Sequence, residues 1–187
     1  MKHPIQNYAA AVNKTMNSLD FDKVDEIIDV LEALWHRKGT LFICGNGGAG
    51  ATASHMATDF SKGLRSDDGR VGIDVRCLSD NIPTLTAWSN DSCYERALSE
   101  VLMVAIRPTD CLMVLSGSGN SNNVVEALHI ANGSGAISIG ISGMGGGKVA
   151  YHSRYPLIIP SDNMQVCEDT FGIVLHGIYL ELLKRNA

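Results

Sequence analysis

Two short apolar runs in this chain each end in a glycine-rich loop, and each loop leads directly into a segment with helical periodicity. Residues 40–44 are followed by the loop GNGGAG, and residues 111–115 are followed by the loop SGSGNS. An uninterrupted apolar run of five residues indicates a strand that is buried on both faces, as in a parallel sheet covered by helices. The order strand, glycine loop, helix restricts the chain to an α/β fold built from βαβ units.

The rest of the chain continues this alternation of helices and strands. We therefore expect a three-layer αβα sandwich with a five-stranded parallel sheet of the flavodoxin-like type, preceded by an N-terminal helical pair. In such a fold both glycine loops lie at the carboxyl edge of the sheet, where ligands bind. Apolar spacing predicts strands over 40–44, 73–78, 111–115, 136–141 and 157–159, and helices over 5–17, 20–38, 49–62, 80–89, 92–106, 120–131 and 163–184.

Bulk composition excludes several classes of protein. The 187 residues suit a single domain over 1–187, with 45% apolar and 19% charged residues. The formal net charge of −5 argues against a general nucleic-acid binder, and no apolar run reaches the roughly 18 residues of a membrane span. The five cysteines, which have no C-x-x-C spacing, indicate reduced thiols; they are Cys44, Cys77, Cys93, Cys111 and Cys167. Since we also see no signal peptide, we expect a cytoplasmic protein.

The second glycine loop carries the strongest functional signal. It offers three hydroxyls, from Ser116, Ser118 and Ser121, and glycines that let backbone N–H groups turn toward one point. The helix that follows adds its free N–H groups and the positive end of its dipole. This combination predicts a site for a phosphate dianion that needs no cation. The first loop matches neither the dinucleotide fingerprint nor the P-loop, so by itself it also fits a tight turn, and we interpret the glycines at 145–147 as a flexible turn.

Two pairs of ionisable residues are candidates for chemistry. His55 and Asp59 are four residues apart on one face of a predicted helix, and Glu168 and His176 are eight apart in the last helix, with Gly172 between them. These two imidazoles and two carboxylates suit a divalent metal such as zinc, and they suit proton transfer equally well. Taken singly, the first pair also fits a surface or capping contact, and His176 also fits a buried interface histidine.

The last predicted helix is apolar around most of its circumference. Such a helix requires burial on several sides, which indicates an oligomer interface. We expect residues 1–38, the N-terminal helices, to pack at that interface as well.

Taken together, the motifs resemble a known family. The sequence GNGG at 45–48, His55 seven residues later, the pair Asn90-Asp91 and the serine loop from Ser116 to Ser121 are similar to those of SIS (sugar isomerase) domains. More narrowly, they resemble the bacterial phosphoheptose isomerases, which convert sedoheptulose 7-phosphate into an aldoheptose 7-phosphate. The similarity extends over nearly the whole chain, including the two leading helices and the closing apolar helix.

The resemblance implies roles for particular residues. Asp59 and His176 would be the catalytic acid and base, and His55, Asp59, Glu168 and His176 would hold one zinc ion per subunit. The family is homotetrameric with active sites shared between subunits, so a sugar phosphate and further copies of this chain would be the partners, with no nucleic acid and no membrane. The substrate would contact Asn46, Gly47, Gly48, Asp91, Ser116, Gly117, Ser118, Ser121 and Glu168.

The chain departs from the family pattern at three places. Asp59 stands where the family has a glutamate, and Glu168 stands where it usually has a glutamine. Gly63 falls where an arginine is common, with Lys62 and Arg65 nearby. We interpret the first two changes as compensatory, a shorter acid at one corner and a charged residue at another. Two other functions stay open: an isomerase of a different sugar phosphate, and a non-catalytic SIS module that binds a sugar phosphate and a protein partner.

Overall fold

The sheet has five parallel strands in the order β2-β1-β3-β4-β5. A computed structural model describes residues 3–65, 69 and 71–186. The strands are β1 (Thr40–Gly45), β2 (Asp74–Cys77), β3 (Cys111–Ser116), β4 (Ile137–Ser142) and β5 (Tyr155–Ile158). This order is that of the flavodoxin-like sheet, so the predicted fold class is confirmed. The order reverses between β1 and β3, and the two glycine loops follow these two strands.

Eight α-helices connect and cover the strands in the described part of the chain. A turn of π-helix, Asp59–Gly63, continues α3, and a short 3₁₀ turn, Tyr94–Arg96, precedes α5. The helices are α1 (Pro4–Asn17), α2 (Phe21–His36), α3 (Gly47–Thr58), α4 (Ile82–Asp91), α5 (Ala97–Met103), α6 (Asn122–Gly133), α7 (Gly147–His152) and α8 (Met164–Arg185).

The core is divided into two apolar clusters, one on each face of the sheet. Alternation along β1 sends Leu41 and Ile43 into one cluster and Phe42 and Cys44 into the other, as period-two side chains must. The first cluster is closed by α2, α3 and α8, and the second by α5 and α6. Every residue of β3 is buried, which explains its uninterrupted apolar sequence.

The two predicted N-terminal helices are present, and they differ in how deeply they are buried within the chain. Helix α2 packs against β5 and α8 and belongs to the layer that covers the sheet, because Ile27, Leu31 and Leu34 are completely buried within the chain. Helix α1 packs against α8 on the outside, and Ile5 remains 70% exposed. The predicted N-terminal helices are thus present, α1 is the more exposed of the two, and their packing at an oligomer interface stays a prediction.

The structure refines two predicted segments. The interval predicted as one helix over 92–106 contains the 3₁₀ turn Tyr94–Arg96 and the shorter α5, which ends at Met103. The glycines at 145–147 form a turn, as predicted, with three successive positive φ angles that lead directly into α7. Glycine adopts these angles without steric cost, and the flexibility of the turn stays a prediction.

The cysteines are free thiols, as expected from their spacing. Cys44, Cys111 and Cys167 are buried, and burial raises the pKa of Cys111 to about 12. Such a thiol stays protonated near neutral pH and is a poor nucleophile. Within the described residues, no helix has both the length and the apolarity that crossing a membrane requires.

Candidate active site

The first glycine loop brings α3 very close to the end of β1. A methyl group at Gly45 would lie 2.7 Å from the backbone of Ala49, and one at Gly50 would lie 2.8 Å from the carbonyl oxygen of Gly45. Larger residues at these positions would push the helix away from the strand. Asn46 stands at the N-cap of α3, yet its side chain makes no capping hydrogen bond. The first N–H groups of α3 are therefore not occupied by their own cap.

The serine loop forms a second uncapped helix start beside the first. The Oγ of Ser116 accepts a hydrogen bond from the N–H of Gly119 at 3.1 Å, and the Oγ of Ser118 accepts one from the N–H of Asn120 at 3.2 Å. Both hydroxyls therefore keep their own protons for a ligand. Ser121 is the N-cap of α6, and its side chain makes no capping bond either.

Helix α7 supports the serine loop from behind. The N–H of Val149 donates to the carbonyl of Gly119 at 2.8 Å, and the N–H of Lys148 donates to Oδ1 of Asn120 at 3.2 Å. Gly119 has a φ of +66°, and a methyl group there would overlap the carbonyl oxygen of Gly146. The glycine-rich turn after β4 thus holds the serine loop in its shape.

Between the two helix starts lies a hollow of about 210 Å³. Serine hydroxyls line one side, and Glu168 with Met164, from the first turns of α8, lines the other. Two helix N-termini with free N–H groups, together with hydroxyl donors, are suited to a phosphate. The hollow is lined by Asn46, Ala49, Leu115, Ser116, Gly117, Ser118, Ser121, Met164 and Glu168.

Two histidines and an aspartate meet farther along α3 and α8. The Nε2 atoms of His55 and His176 are 3.0 Å apart, and Oδ2 of Asp59 lies 3.3 Å from the first and 3.4 Å from the second. The two histidine side chains are 56% and 50% exposed, so the cluster opens to the surface of the chain. Two imidazole nitrogens and a carboxylate oxygen are ligands that suit zinc.

A π turn positions the aspartate of this cluster. Helix α3 ends at Thr58, and Asp59 begins the wider turn Asp59–Gly63. Single π turns within helices are often found at functional sites, because the extra residue re-aims the side chains around it. Helical spacing predicted that His55 and Asp59 share a face, but it gave no signal for the change of pitch.

Helices α3 and α8 lie side by side and run in the same direction. Three contacts follow one another in the same order along the two helical segments and establish this direction. Gly48 contacts Glu168, His55 contacts His176, and Gly63, in the π turn after α3, contacts Tyr179. Eight residues separate Glu168 from His176, which is about 12 Å along a helix axis. The phosphate-type hollow and the histidine cluster are therefore two ends of one surface.

Two of the predicted site residues lie apart from these groups within one chain. Glu168 lines the hollow and is not a member of the cluster of His55, Asp59 and His176, the group of potential metal ligands among the described residues. Asp91 is exposed on α4 and lines a separate surface depression with Trp88. A role for Asp91 at this site would need a neighbouring subunit.

The structure also brings in two side chains that the sequence did not indicate. Asn123 is 2% exposed in the first turn of α6 and exchanges two hydrogen bonds with Asn46. The hydroxyl of Tyr94 donates to Oδ1 of Asn46 at 2.8 Å. The position of Asn123 just after the serine loop was an available signal, whereas nothing in the sequence near Tyr94 pointed to the site.

Comparison with known proteins agrees with this geometry. Residues 6–143 match the family model described as SIS domain. The chain is 30% identical over 172 residues to a phosphoheptose isomerase of Chlorobaculum parvum, covering 90% of this chain and 82% of that protein, and 33% identical over 152 residues to one of Roseiflexus, covering 81% and 76%. A phosphoheptose isomerase structure from Francisella tularensis shares the fold, with a TM-score of 0.87 at 20% identity over 97% of this chain and 96% of that one.

The chain thus belongs to the SIS domain family of α/β proteins. Within that family it is a member of the phosphoheptose isomerases, and hence an enzyme of the sugar-phosphate isomerase class.

Proposed function

We propose that this enzyme converts sedoheptulose 7-phosphate into D-glycero-D-manno-heptose 7-phosphate. The observation that carries the proposal is the joint surface of α3 and α8, which has a phosphate-type hollow at one end and a cluster of two histidines and an aspartate at the other. An aldose–ketose isomerase requires a distance between these two groups, because it must hold the phosphate at one end of the sugar and transfer protons at two carbons at the other end.

The phosphate would bind in the hollow between the two helix starts. The hydroxyls of Ser116, Ser118 and Ser121 and the backbone at Gly117 would donate to its oxygens. Among the residues that the structure describes, no Lys or Arg lines this hollow, so the stabilisation would come from hydroxyls, N–H groups and helix dipoles. Anchoring the far end of the sugar would hold the reacting carbons in place and supply binding energy to the reaction.

The sugar hydroxyls would contact residues between the anchor and the cluster. Asn46, Gly47 and Gly48 stand at the start of α3, and Glu168 faces them from α8. A carboxylate accepts hydrogen bonds and would receive them from hydroxyls of the chain. Asp91 would contribute only from another subunit, because in its own chain it lies on the outer face of α4.

The reaction itself moves two protons: one from C1 to C2 of the open-chain sugar, and one from the hydroxyl oxygen on C1 to the carbonyl oxygen on C2. A base takes a proton from C1 of the open-chain ketose, and an acid returns a proton to C2, with an enediolate between the two steps. We assign these two roles to Asp59 and His176, in an order left open, because both lie in the cluster within hydrogen-bond range of the same space. Negative charge on the enediolate oxygens favours positive groups beside them.

The cluster fits a zinc ion, one per subunit. His55, Asp59 and His176 supply two nitrogens and one oxygen, and we propose Glu168 of a neighbouring subunit as the fourth ligand, because in its own chain Glu168 lies in the hollow, apart from the cluster. When bound, the zinc would act as a Lewis acid on the sugar oxygens next to the reacting carbons. Gly172 lies on α8 between Glu168 and His176. A methyl group there would have no atom within 4 Å, so the surface between these two residues is open.

A homotetramer with shared sites would cover the surfaces that this chain leaves open. Large apolar side chains are exposed on the outer faces of α1 and α8, and contiguous exposed apolar surface marks interaction sites. They are Ile5 at 70%, Ile173 at 45%, Leu180 at 60% and Leu183 at 38%. The half-exposed histidine cluster lies beside this surface. A cytoplasmic location of the enzyme stays a prediction.

Incubation of the purified protein with sedoheptulose 7-phosphate, with and without a chelator, tests the proposal. We expect an aldoheptose 7-phosphate by chromatography and mass spectrometry, loss of activity on chelation, and recovery when zinc is returned. Metal analysis should give near-stoichiometric zinc, and Asp59→Asn should lose both metal and activity. A metal-free protein that binds the sugar phosphate without turning it over would refute the enzyme and favour the non-catalytic module.

A further inference from the structure

Asn46 is the centre of a small hydrogen-bond network at the start of α3. Its Nδ2 donates to Oδ1 of Asn123 at 2.9 Å, and the Nδ2 of Asn123 donates back to its Oδ1 at 2.7 Å. The hydroxyl of Tyr94 donates to the same Oδ1 at 2.8 Å. The three side chains come from α3, α6 and the 3₁₀ turn, so the network also links the two helix starts that form the phosphate-type hollow.

The hydrogen-bonding capacity of Asn46 is nearly used up by these contacts. An amide oxygen has two lone pairs, and here both receive a donor, from Asn123 and from Tyr94. An amide nitrogen has two hydrogens, and one of them is donated to Asn123. A single side-chain N–H is left. Asn46 lines the hollow together with the serines. The remaining N–H of its side chain is therefore the one group of that side chain that can hydrogen-bond to a ligand.

The network also explains why Asn46 does not cap its own helix. Asparagine is among the best N-cap residues, because its oxygen accepts from the N–H groups of the first turn. In this chain that oxygen is already occupied, and α3 starts without a side-chain cap. The same arrangement therefore leaves the helix N–H groups free and sets the hydrogen-bond polarity of the amide.

We propose that Asn46 acts on the substrate only as a hydrogen-bond donor, toward an oxygen of the sugar chain, and that Asn123 and Tyr94 are positioning residues that fix this polarity. The inference rests on the proposed function, since it takes the ligand to be a sugar phosphate. It goes further in stating which partner Asn46 requires. A sugar oxygen at that place must present a lone pair, as a carbonyl or a hydroxyl oxygen does.

Asn46→Asp removes the donor while keeping nearly the same shape. The carboxylate keeps the two bonds accepted from Asn123 and Tyr94 but has no N–H to donate, so the bond to Oδ1 of Asn123 is lost together with the free N–H. Its negative charge also repels phosphate, and inorganic phosphate binding to the same variant measures that effect by itself. By calorimetry we expect sedoheptulose 7-phosphate to lose about tenfold more affinity than inorganic phosphate, the value of one hydrogen bond. Equal losses for the two ligands would overturn the donor role.

Tyr94→Phe and Asn123→Leu test the positioning role. Tyr94→Phe leaves one lone pair of Asn46 Oδ1 without a donor, so we expect KM to rise about threefold. Asn123→Leu removes both amide–amide bonds of Asn46, so we expect KM to rise about tenfold. In both variants kcat should change less than about twofold. Tyr151→Phe is the matched control, since Tyr151 is 84% exposed on α7. Thermal unfolding is measured for each variant. A fall in melting temperature with an unchanged KM would show a structural network only and would refute the inference.

These measurements separate the inference from the proposed function. Turnover of sedoheptulose 7-phosphate by the wild-type protein tests the function, whereas the ratio of the two binding losses tests Asn46 whether or not turnover occurs. Binding without turnover, with a tenfold difference between ligands in Asn46→Asp, would sustain the inference alone. A wild-type protein that binds neither ligand would overturn both.

Discussion

Gly48→Ala displaces one functional side chain without disturbing the fold around it. The new methyl group would lie 2.5 Å from Oε2 of Glu168, 2.8 Å from its Cδ and 2.9 Å from its Oε1. The three nearest atoms thus all belong to the end of one flexible side chain, which must move aside. We expect the carboxylate to leave its place beside the start of α3, while the backbone N–H of residue 48 stays available in the hollow.

We expect Gly48→Ala to keep or raise the stability of the protein and to lower its activity. Alanine in place of a helix glycine stabilises by up to about 1 kcal/mol, and turning the end of Glu168 costs the fold little, so the melting temperature should stay or rise. A hydrogen bond to a charged group contributes about 1.5–3 kcal/mol, so losing the carboxylate should lower kcat/KM by about 10- to 150-fold. The assays are thermal unfolding and steady-state isomerisation of sedoheptulose 7-phosphate.

Gly133→Ala is the matched control, because a methyl group at Gly133, in the last turn of α6, meets nothing within 4 Å. It should give the same gain in melting temperature with unchanged kinetics. The argument would be refuted if Gly48→Ala kept wild-type kcat/KM, or if both variants lost activity to the same extent.

Three further expectations concern stability and metal binding. The hydrogen bond to Asp169 raises the pKa of Tyr8 to about 12. The contribution of this bond to the free energy of unfolding is therefore complete below pH 10 and is lost as the pH rises toward 12. A pH series of denaturant titrations should show this loss in the wild type and not in Tyr8→Phe. Gly119→Ala combines a positive φ with overlap on backbone and should cost about 2–4 kcal/mol, whereas Gly47→Ala, with a positive φ but free space, should cost about 1–2 by the same titration. Asp59→Asn should reduce bound zinc by calorimetry without lowering the melting temperature of the metal-free protein, since the Asp59 side chain is 30% exposed and its two histidine partners are half-exposed.

The sheet and the serine loop were predictable because their signals are local. A buried parallel strand is apolar at every position, and the chain shows this at 40–44 and 111–115 whatever surrounds them. The loop after β3 combines hydroxyls, glycines and a helix start within six residues, so its chemistry could be inferred before its neighbours were known. Sheet topology then brings the two loops together, since the order reverses between β1 and β3.

Features that depend on packing between distant segments were not predictable. Whether α2 lies in the sandwich or at an interface depends on which surface buries Ile27 and Leu31, and periodicity shows only that one face is apolar. The amide pair of Asn46 and Asn123 joins residues 77 positions apart. A π turn has no distinct apolar period, so the turn that carries Asp59 could not be read from spacing.

The departures at Asp59 and Glu168 can be examined with a double-mutant cycle. Asp59 already reaches both histidines, at 3.3 and 3.4 Å, so its shorter side chain is sufficient where the helix widens. Glu168 lies about 12 Å along α8 from His176. At this distance the effects of two substitutions on free energy are usually additive, unless both residues contact the same partner. If zinc draws both acids to one ion, as we propose, Asp59→Glu and Glu168→Gln will be non-additive in zinc affinity by more than about 0.5 kcal/mol. Each single variant should then bind zinc more weakly than the wild type, and the double variant should lose less affinity than the sum of the two single losses. Additive effects would instead confine Glu168 to the sugar and disprove the compensation between the two acids.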